Sequence, residues 1–204
     1  MAKNSKIEWT DHTANLWHGC AKVHIGCEHC YAEDLTVSWG EEIWGNDKPR
    51  KAIKSVWTDL AEYQRLAKQN GRIDRVFVGS MQDIFEKPMP LIDWKGRPLP
   101  YTTDALRRKL FQKIHWRMYP NLLFLLLTKR PPNINKLIPQ EWKTKPPVNV
   151  MLGCSVSDQA TADQLIPQLF TVNGRRFLSV EPQLGPVDLT AYLHTGRIHW
   201  VIQG

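Results

Sequence analysis

Two apolar periods alternate along this chain, one helical and one nearly continuous. Val56, Leu60, Tyr63 and Ala67 share a helix face, so the spacing predicts a helix over residues 55–69, capped by Ser55 and ended by Asn70-Gly71. Leu106, Leu110, Ile114 and Met118 predict a second over 103–118, with Lys109, Lys113 and Arg117 on its exposed basic side. Shorter helices are expected over 28–38, 133–138 and 158–170, the last disturbed at Pro167. Five short runs, 75–80, 122–128, 148–155, 176–180 and 198–202, are apolar almost throughout, as strands covered on both faces are. A polar and aromatic lead-in over 7–17 holds a short first strand, and 39–54 reads as a loop. Strand alternating with helix predicts a parallel sheet whose right-handed crossovers close toward a barrel. The expected fold is therefore α/β, an incomplete parallel (βα) barrel in one domain over 1–204.

Composition changes this picture little. A hydrophobic fraction of 42% over 204 residues suits a packed core and argues against disorder. The longest uninterrupted apolar run, Leu122 to Leu127, is far short of a membrane span, and Met1-Ala2-Lys3-Asn4-Ser5 has no apolar signal core. A cytoplasmic location with no membrane partner is the expectation. The formal charge of +7 favours polyanionic partners such as nucleic acid. Nine tryptophans serve by default as core residues, though an exposed one is a platform for a base.

The candidate chemistry concentrates in residues 19–33, where Cys20, Cys27 and Cys30 stand as Cys-x6-Cys-x2-Cys between Gly19, Gly26 and Tyr31. The last pair suits one metal centre, and the glycines permit the tight backbone that brings in the third thiol. A disulfide would leave an odd thiol, and inert buried cysteines do not gather in a polar loop. Three thiolates are one short of a closed site. Either His18, His24 or His29 completes a Cys3His zinc site, or an iron–sulfur cluster keeps one position open for a substrate or cofactor. Spacing alone leaves both standing. Cys154, alone inside an apolar run, reads as a small buried hydrophobe.

In parallel α/β folds the site forms at the carboxyl ends of the strands. Here those ends carry Ser80 and Asp83, then Thr128, Lys129 and Arg130, then Ser155, Ser157 and Asp158, then Ser179 and Glu181, and last Gln203. Each alone is explained by solvent or a helix cap, Asp158 and Asn133 most easily. With the cysteine loop at the same end, the set reads as a site.

A three-cysteine loop after the first strand of a partial barrel resembles the radical S-adenosylmethionine enzymes, although their usual spacing is Cys-x3-Cys-x2-Cys. A closer resemblance is to a bacteriophage-associated three-cysteine family of unknown function. It rests on Ile7-Glu8-Trp9-Thr10, Trp17-His18-Gly19-Cys20, Gly26 to Glu33, Ser80 to Phe85, Leu127-Thr128-Lys129-Arg130-Pro131, Leu152 to Ser157 and Phe177 to Pro182. These resemblances imply a [4Fe–4S] cluster on Cys20, Cys27 and Cys30, whose open iron binds S-adenosylmethionine. They also imply reductive cleavage of that cofactor, an electron donor, and hydrogen abstraction from a nucleotide or nucleic acid in a bacterial or phage-infected cell. Carried over residue by residue, Tyr31 shields the cluster or packs on adenine, and Ser80 and Asp83 bind the cofactor amino group. Lys129 and Arg130 meet its carboxylate or a substrate phosphate, Glu181 meets ribose hydroxyls, and Ser155 and Ser179 complete the pocket. The competing reading is a zinc-stabilised, non-catalytic nucleic-acid-binding or phage accessory protein. Ile198 to Gly204 stops as a strand finishes, where the family typically continues, so a truncated barrel is expected.

Overall fold

The computed structural model describes residues 3–204; Met1 and Ala2, at the start read for a signal core, lie outside the described residues. In chain order the strands are β1 (His12–Ala14), β2 (Trp17–His18), β3 (Arg50–Ala52), β4 (Asp74–Val78) and β5 (Pro90–Ile92). They continue with β6 (Pro98–Thr102), β7 (Leu122–Thr128), β8 (Val150–Val156), β9 (Arg175–Val180) and β10 (Trp200–Gln203). The α-helices are α1 (Tyr31–Ser38), α2 (Val56–Gln69), α3 (Thr103–His115), α4 (Ile134–Leu137), α5 (Gln140–Thr144), α6 (Gln159–Phe170) and α7 (Thr190–Leu193).

Strands β1, β4, β7, β8, β9 and β10 form one sheet in that order, every neighbouring pair parallel. Spatial order equals chain order, so each crossover steps to the next strand in the same direction. That coils the sheet toward a barrel instead of opening it around a switch point. Strand side chains alternate between faces. Val76, Val78, Phe124, Leu126, Leu152, Cys154 and Leu178 join the main core with the helices, whereas Leu125, Met151, Phe177 and Ile202 cluster on the opposite, concave face. Covering both faces is why the runs read as continuous apolar segments. Gly153 makes room on the concave face, since a Cβ there would stand 2.3 Å from the Phe177 ring. Trp9 spans that face: its ring lies 4.7 Å from Phe77 on β4 and 6.4 Å from Trp200 on β10. The two residues it touches belong to strands that are not neighbours, so the lead-in fills the incomplete barrel.

Several expectations are corrected. The helix expected from residue 28 begins at Tyr31, because Ile25–Cys27 forms a 3-10 turn and Cys30 stays extended. Gly26 there passes so close to β8 that a Cβ would stand 2.1 Å from Ser157 Oγ. Seating the loop on that strand end removes the preceding residues from the helix. Residues 39–54 are not all loop, since they contain β3, which joins a second sheet of order β2-β3-β5-β6. Strands of two to five residues leave no period to read.

Helix α3 ends at His115, two residues before Arg117 takes a left-handed φ of 53°. Met118, expected on its buried face, is exposed, and Arg107 is buried instead. Lys109 and Lys113 place their ammonium groups 4.6 and 6.0 Å from the Trp57 ring. Ser55 stands before α2 without a side-chain cap bond, whereas Asp158 and Thr161 form a full capping box on α6. The short helices α5 and α7 were not expected. Among the described residues no helix is long and apolar enough to cross a membrane.

Candidate functional site

The carboxyl ends of the parallel strands open onto a cavity of about 400 Å³. All eleven expected site residues line it: Cys20, Cys27, Cys30, Tyr31, Ser80, Asp83, Lys129, Arg130, Ser155, Ser179 and Glu181. Parallel strands in sequential order put the segments after β1, β4, β7, β8 and β9 on one rim, which is why residues far apart in sequence meet. Gln203, Ser157 and Asp158, expected at the same end, do not line the cavity. Gln203 instead donates to Gln183 at 2.8 Å.

The cysteine loop is held by close backbone approach. Gly19 has a φ of 104°, and a Cβ there would stand 2.3 Å from the Ile43 carbonyl oxygen. Its N–H donates to Met81 O at 3.1 Å, and the Gly45 N–H donates to Cys20 O at 2.9 Å. Cys20, Cys27 and Cys30 are free thiols of intermediate exposure. Burial pushes the Cys20 thiol up to about 12, against the opposing pull of the Arg130 guanidinium. The histidines considered as zinc ligands are placed differently. His24 Nδ1 accepts from the Gly26 N–H at 3.0 Å, and burial with the Lys129 charge lowers its pKa to about 4. His18 lies 6.2 Å from the Trp39 ring, away from the cavity, and burial lowers it to about 4 as well. His29 does line the cavity.

Asp83 and Arg130 spend their polar groups inside the protein. The Asp83 carboxylate accepts from Thr128 Oγ1 at 2.7 and 2.9 Å, Phe85 N at 2.9 Å, Lys129 N at 3.2 Å and Arg130 Nη1 at 2.7 Å. Arg130 Nη2 donates to Ala21 O at 2.6 Å, so one side chain ties the end of β7 to the cysteine loop. Burial works against the Arg130 charge, but Asp83 and Cys20 outweigh it and raise its pKa. Glu86 stands 3.8 Å behind Arg130 and is gripped by Arg50, whose Nη2 and Nε donate to it at 2.6 and 2.9 Å.

The other side chains surround Glu181. Ser155 Oγ donates to the Glu181 carbonyl at 2.7 Å, Ser179 Oγ lies 3.5 Å from its carboxylate, and both serines are buried while Glu181 is exposed. Across the cavity the Tyr31 hydroxyl donates to Ser80 O at 2.5 Å, and Asn15 Nδ2 donates to Ser80 Oγ at 2.8 Å. The Lys129 ammonium has no hydrogen-bond partner among the described residues, which suits it to an anion. Sequence reasoning missed Ile7, Trp9, Lys22, Trp44 and Gln82 in the lining, and Arg50 and Glu86 behind it. Gln82 carried a signal inside the Ser80-Met81-Gln82-Asp83 segment; Arg50, a lone cation in an apparent loop, carried none.

Among the described residues no three His, Cys, Asp or Glu side chains converge where a single metal ion could bind them. A Cys3His zinc site sets four side chains on one ion, whereas the cysteines of a [4Fe–4S] cluster take separate irons. Three free thiols, the protein donors a [4Fe–4S] cluster with one open iron takes, line one cavity with the cations Lys22, Lys129 and Arg130 and the carboxylates Asp83 and Glu181.

Two solved structures share the fold. A spore photoproduct lyase carrying a cysteine-to-serine substitution superposes with a TM-score of 0.56 at 14% identity. Spore photoproduct lyase complexed with dinucleoside spore photoproduct superposes with a TM-score of 0.58 at 15% identity. Both matches cover 89% of this chain and 48% of the other, so the chain spans about half the length of these proteins. At such identity the likeness is one of fold, a partial parallel barrel. No curated protein matches the sequence. The model of a family described as a protein of unknown function, DUF5131, matches residues 4–204, and the chain belongs to that family.

Proposed function

We propose that this protein is a radical S-adenosylmethionine-type enzyme acting on a nucleotide or nucleic acid. The observation that carries the reading is the meeting of three free thiols and the polar strand-end residues in one cavity at the mouth of a partial parallel barrel. Cys20, Cys27 and Cys30 would hold a [4Fe–4S] cluster. When bound, the cluster supplies one electron, from an external donor, for reductive cleavage of S-adenosylmethionine.

The chain's own residues divide the remaining work. Lys129 offers its ammonium to the cofactor carboxylate, and Glu181, steadied by Ser155 and Ser179, accepts from ribose hydroxyls. Tyr31 and Ser80 border the amino-acid end of the cavity, where Asp83 and Arg130 act by fixing the surrounding turns. Trp9, Phe77 and Leu127 give an apolar wall that excludes water.

Calorimetry on anaerobically reconstituted protein tests the cofactor site. S-adenosylmethionine should bind, and Glu181→Ala should weaken it at least about tenfold, the loss of about 1.4 kcal/mol expected for a charge-assisted hydrogen bond. Normal binding by the variant removes Glu181 from the site. The substrate half rests on the +7 charge. Oligonucleotide affinity should fall steeply across a rising salt series, because phosphate contacts release counterions. A flat or undetectable response takes nucleic acid off the substrate list.

A further inference from the structure

Arg130 distinguishes Cys20 from the other two cysteines. Its Nη1 donates to Cys20 Sγ at 3.5 Å as well as to Asp83. The Arg130 side chain is only 12% exposed, so the contact is made largely out of water, where charges and hydrogen bonds act most strongly. Behind it, Glu86 is 2% exposed and paired with the fully buried Arg50. A line of alternating buried charges, Arg50, Glu86, Arg130, therefore ends on the sulfur of the first cysteine.

We infer that Arg130 raises the reduction potential of an iron–sulfur cluster held at Cys20, with the buried carboxylates Asp83, 2.7 Å from the same Nη1, and Glu86 opposing it; this rests on the cluster reading above. Reduction adds one negative charge to the cluster and its thiolates. A cation and an N–H donor at the thiolate stabilise the reduced state more than the oxidised one, and a buried carboxylate behind them does the reverse. Arg130 thus serves the cysteine sulfur, where sequence reasoning expected it to meet a carboxylate or phosphate. The electron comes from an added reductant such as dithionite, and no bond to the protein forms or breaks.

The test is a reductive titration of the reconstituted protein followed by electron paramagnetic resonance, without S-adenosylmethionine. Arg130→Gln should lower the reduced-to-oxidised ratio at fixed potential at least about tenfold, a shift of about 59 mV to lower potential for a one-electron couple. Arg130→Lys keeps the charge but loses the fork, so it should shift less, in the same direction. Glu86→Gln should shift the potential upward. General damage to the loop would not give opposite signs at the two positions. Wild-type protein that takes up no iron or sulfide overturns the cluster reading and the inference with it. A loaded wild type with Arg130→Gln titrating at the same potential, or with both positions shifting alike, overturns the inference alone. If Arg130→Gln holds no cluster, Arg130→Lys and Glu86→Gln decide by the same criterion: opposite signs support the inference, and equal signs or no shift overturn it.

Discussion

Alanine at Cys20, Cys27 or Cys30 is expected to abolish the brown colour and nearly all bound iron and sulfide, while alanine at His18, His24 or His29 leaves both in place. Anaerobically reconstituted wild-type protein should carry about four irons per chain. With only three protein ligands, the loss of one thiolate leaves two, too few to hold the cluster against dilution. The histidines differ for structural reasons. His18 faces Trp39, His24 uses Nδ1 to hold the Gly26 N–H, and no three candidate ligands converge on one ion among the described residues. Metal analysis beside sulfide determination reads the result directly. Stoichiometric zinc without iron, lost on His29→Ala, would end the radical reading and leave a zinc-stabilised binding protein.

Arg50→Met should destabilise the fold by about 3–5 kcal/mol, the typical cost of removing one partner of a buried ion pair. Arg50 is fully buried and donates to both oxygens of Glu86 and to the carbonyls of Ile43, Gly45 and Lys48. Methionine fills much of the space, yet it leaves the Glu86 carboxylate with Arg130 at 3.8 Å as its remaining cation and frees three carbonyls. With a urea slope of about 2 kcal/mol/M, the unfolding midpoint should fall by about 2 M. The double change Arg50→Met with Glu86→Leu should recover part of the loss, because the uncompensated charge is gone. A single variant within about 0.3 M of wild type would show that the pair contributes little.

How much of this was legible beforehand depends on the kind of signal each element carries. The apolar face of α2 and the continuous runs of β7 and β8 were plain, since burial imposes a period that survives in one sequence. Cys154 was read as a small buried residue and is one. The second sheet was missed because His18, Lys51 and Ile92 sit in strands too short to alternate. The start of α1 was placed early because the seat of Gly26 on Ser157 is a contact across 131 residues of sequence, with no local trace.

The sequence by itself determined the alternation of strand and helix, the clustering of three thiols, and which polar residues terminate the strands. Local spacing and composition carry all of that. Tertiary structure alone decided what those residues face. Parallel strands in sequential order brought the eleven expected residues to one cavity. Asp83 and Arg130 were turned toward each other, Arg130 also toward Cys20, and Ser155 and Ser179 toward Glu181. Trp9 was laid across the concave face between β4 and β10, and Arg50, in an apparent loop, was buried against Glu86. Buried charge must find a partner wherever the chain places one, and Arg50 with Glu86, Arg130 with Asp83 and Arg130 with Cys20 are 36, 47 and 110 residues apart, beyond the reach of any local pattern.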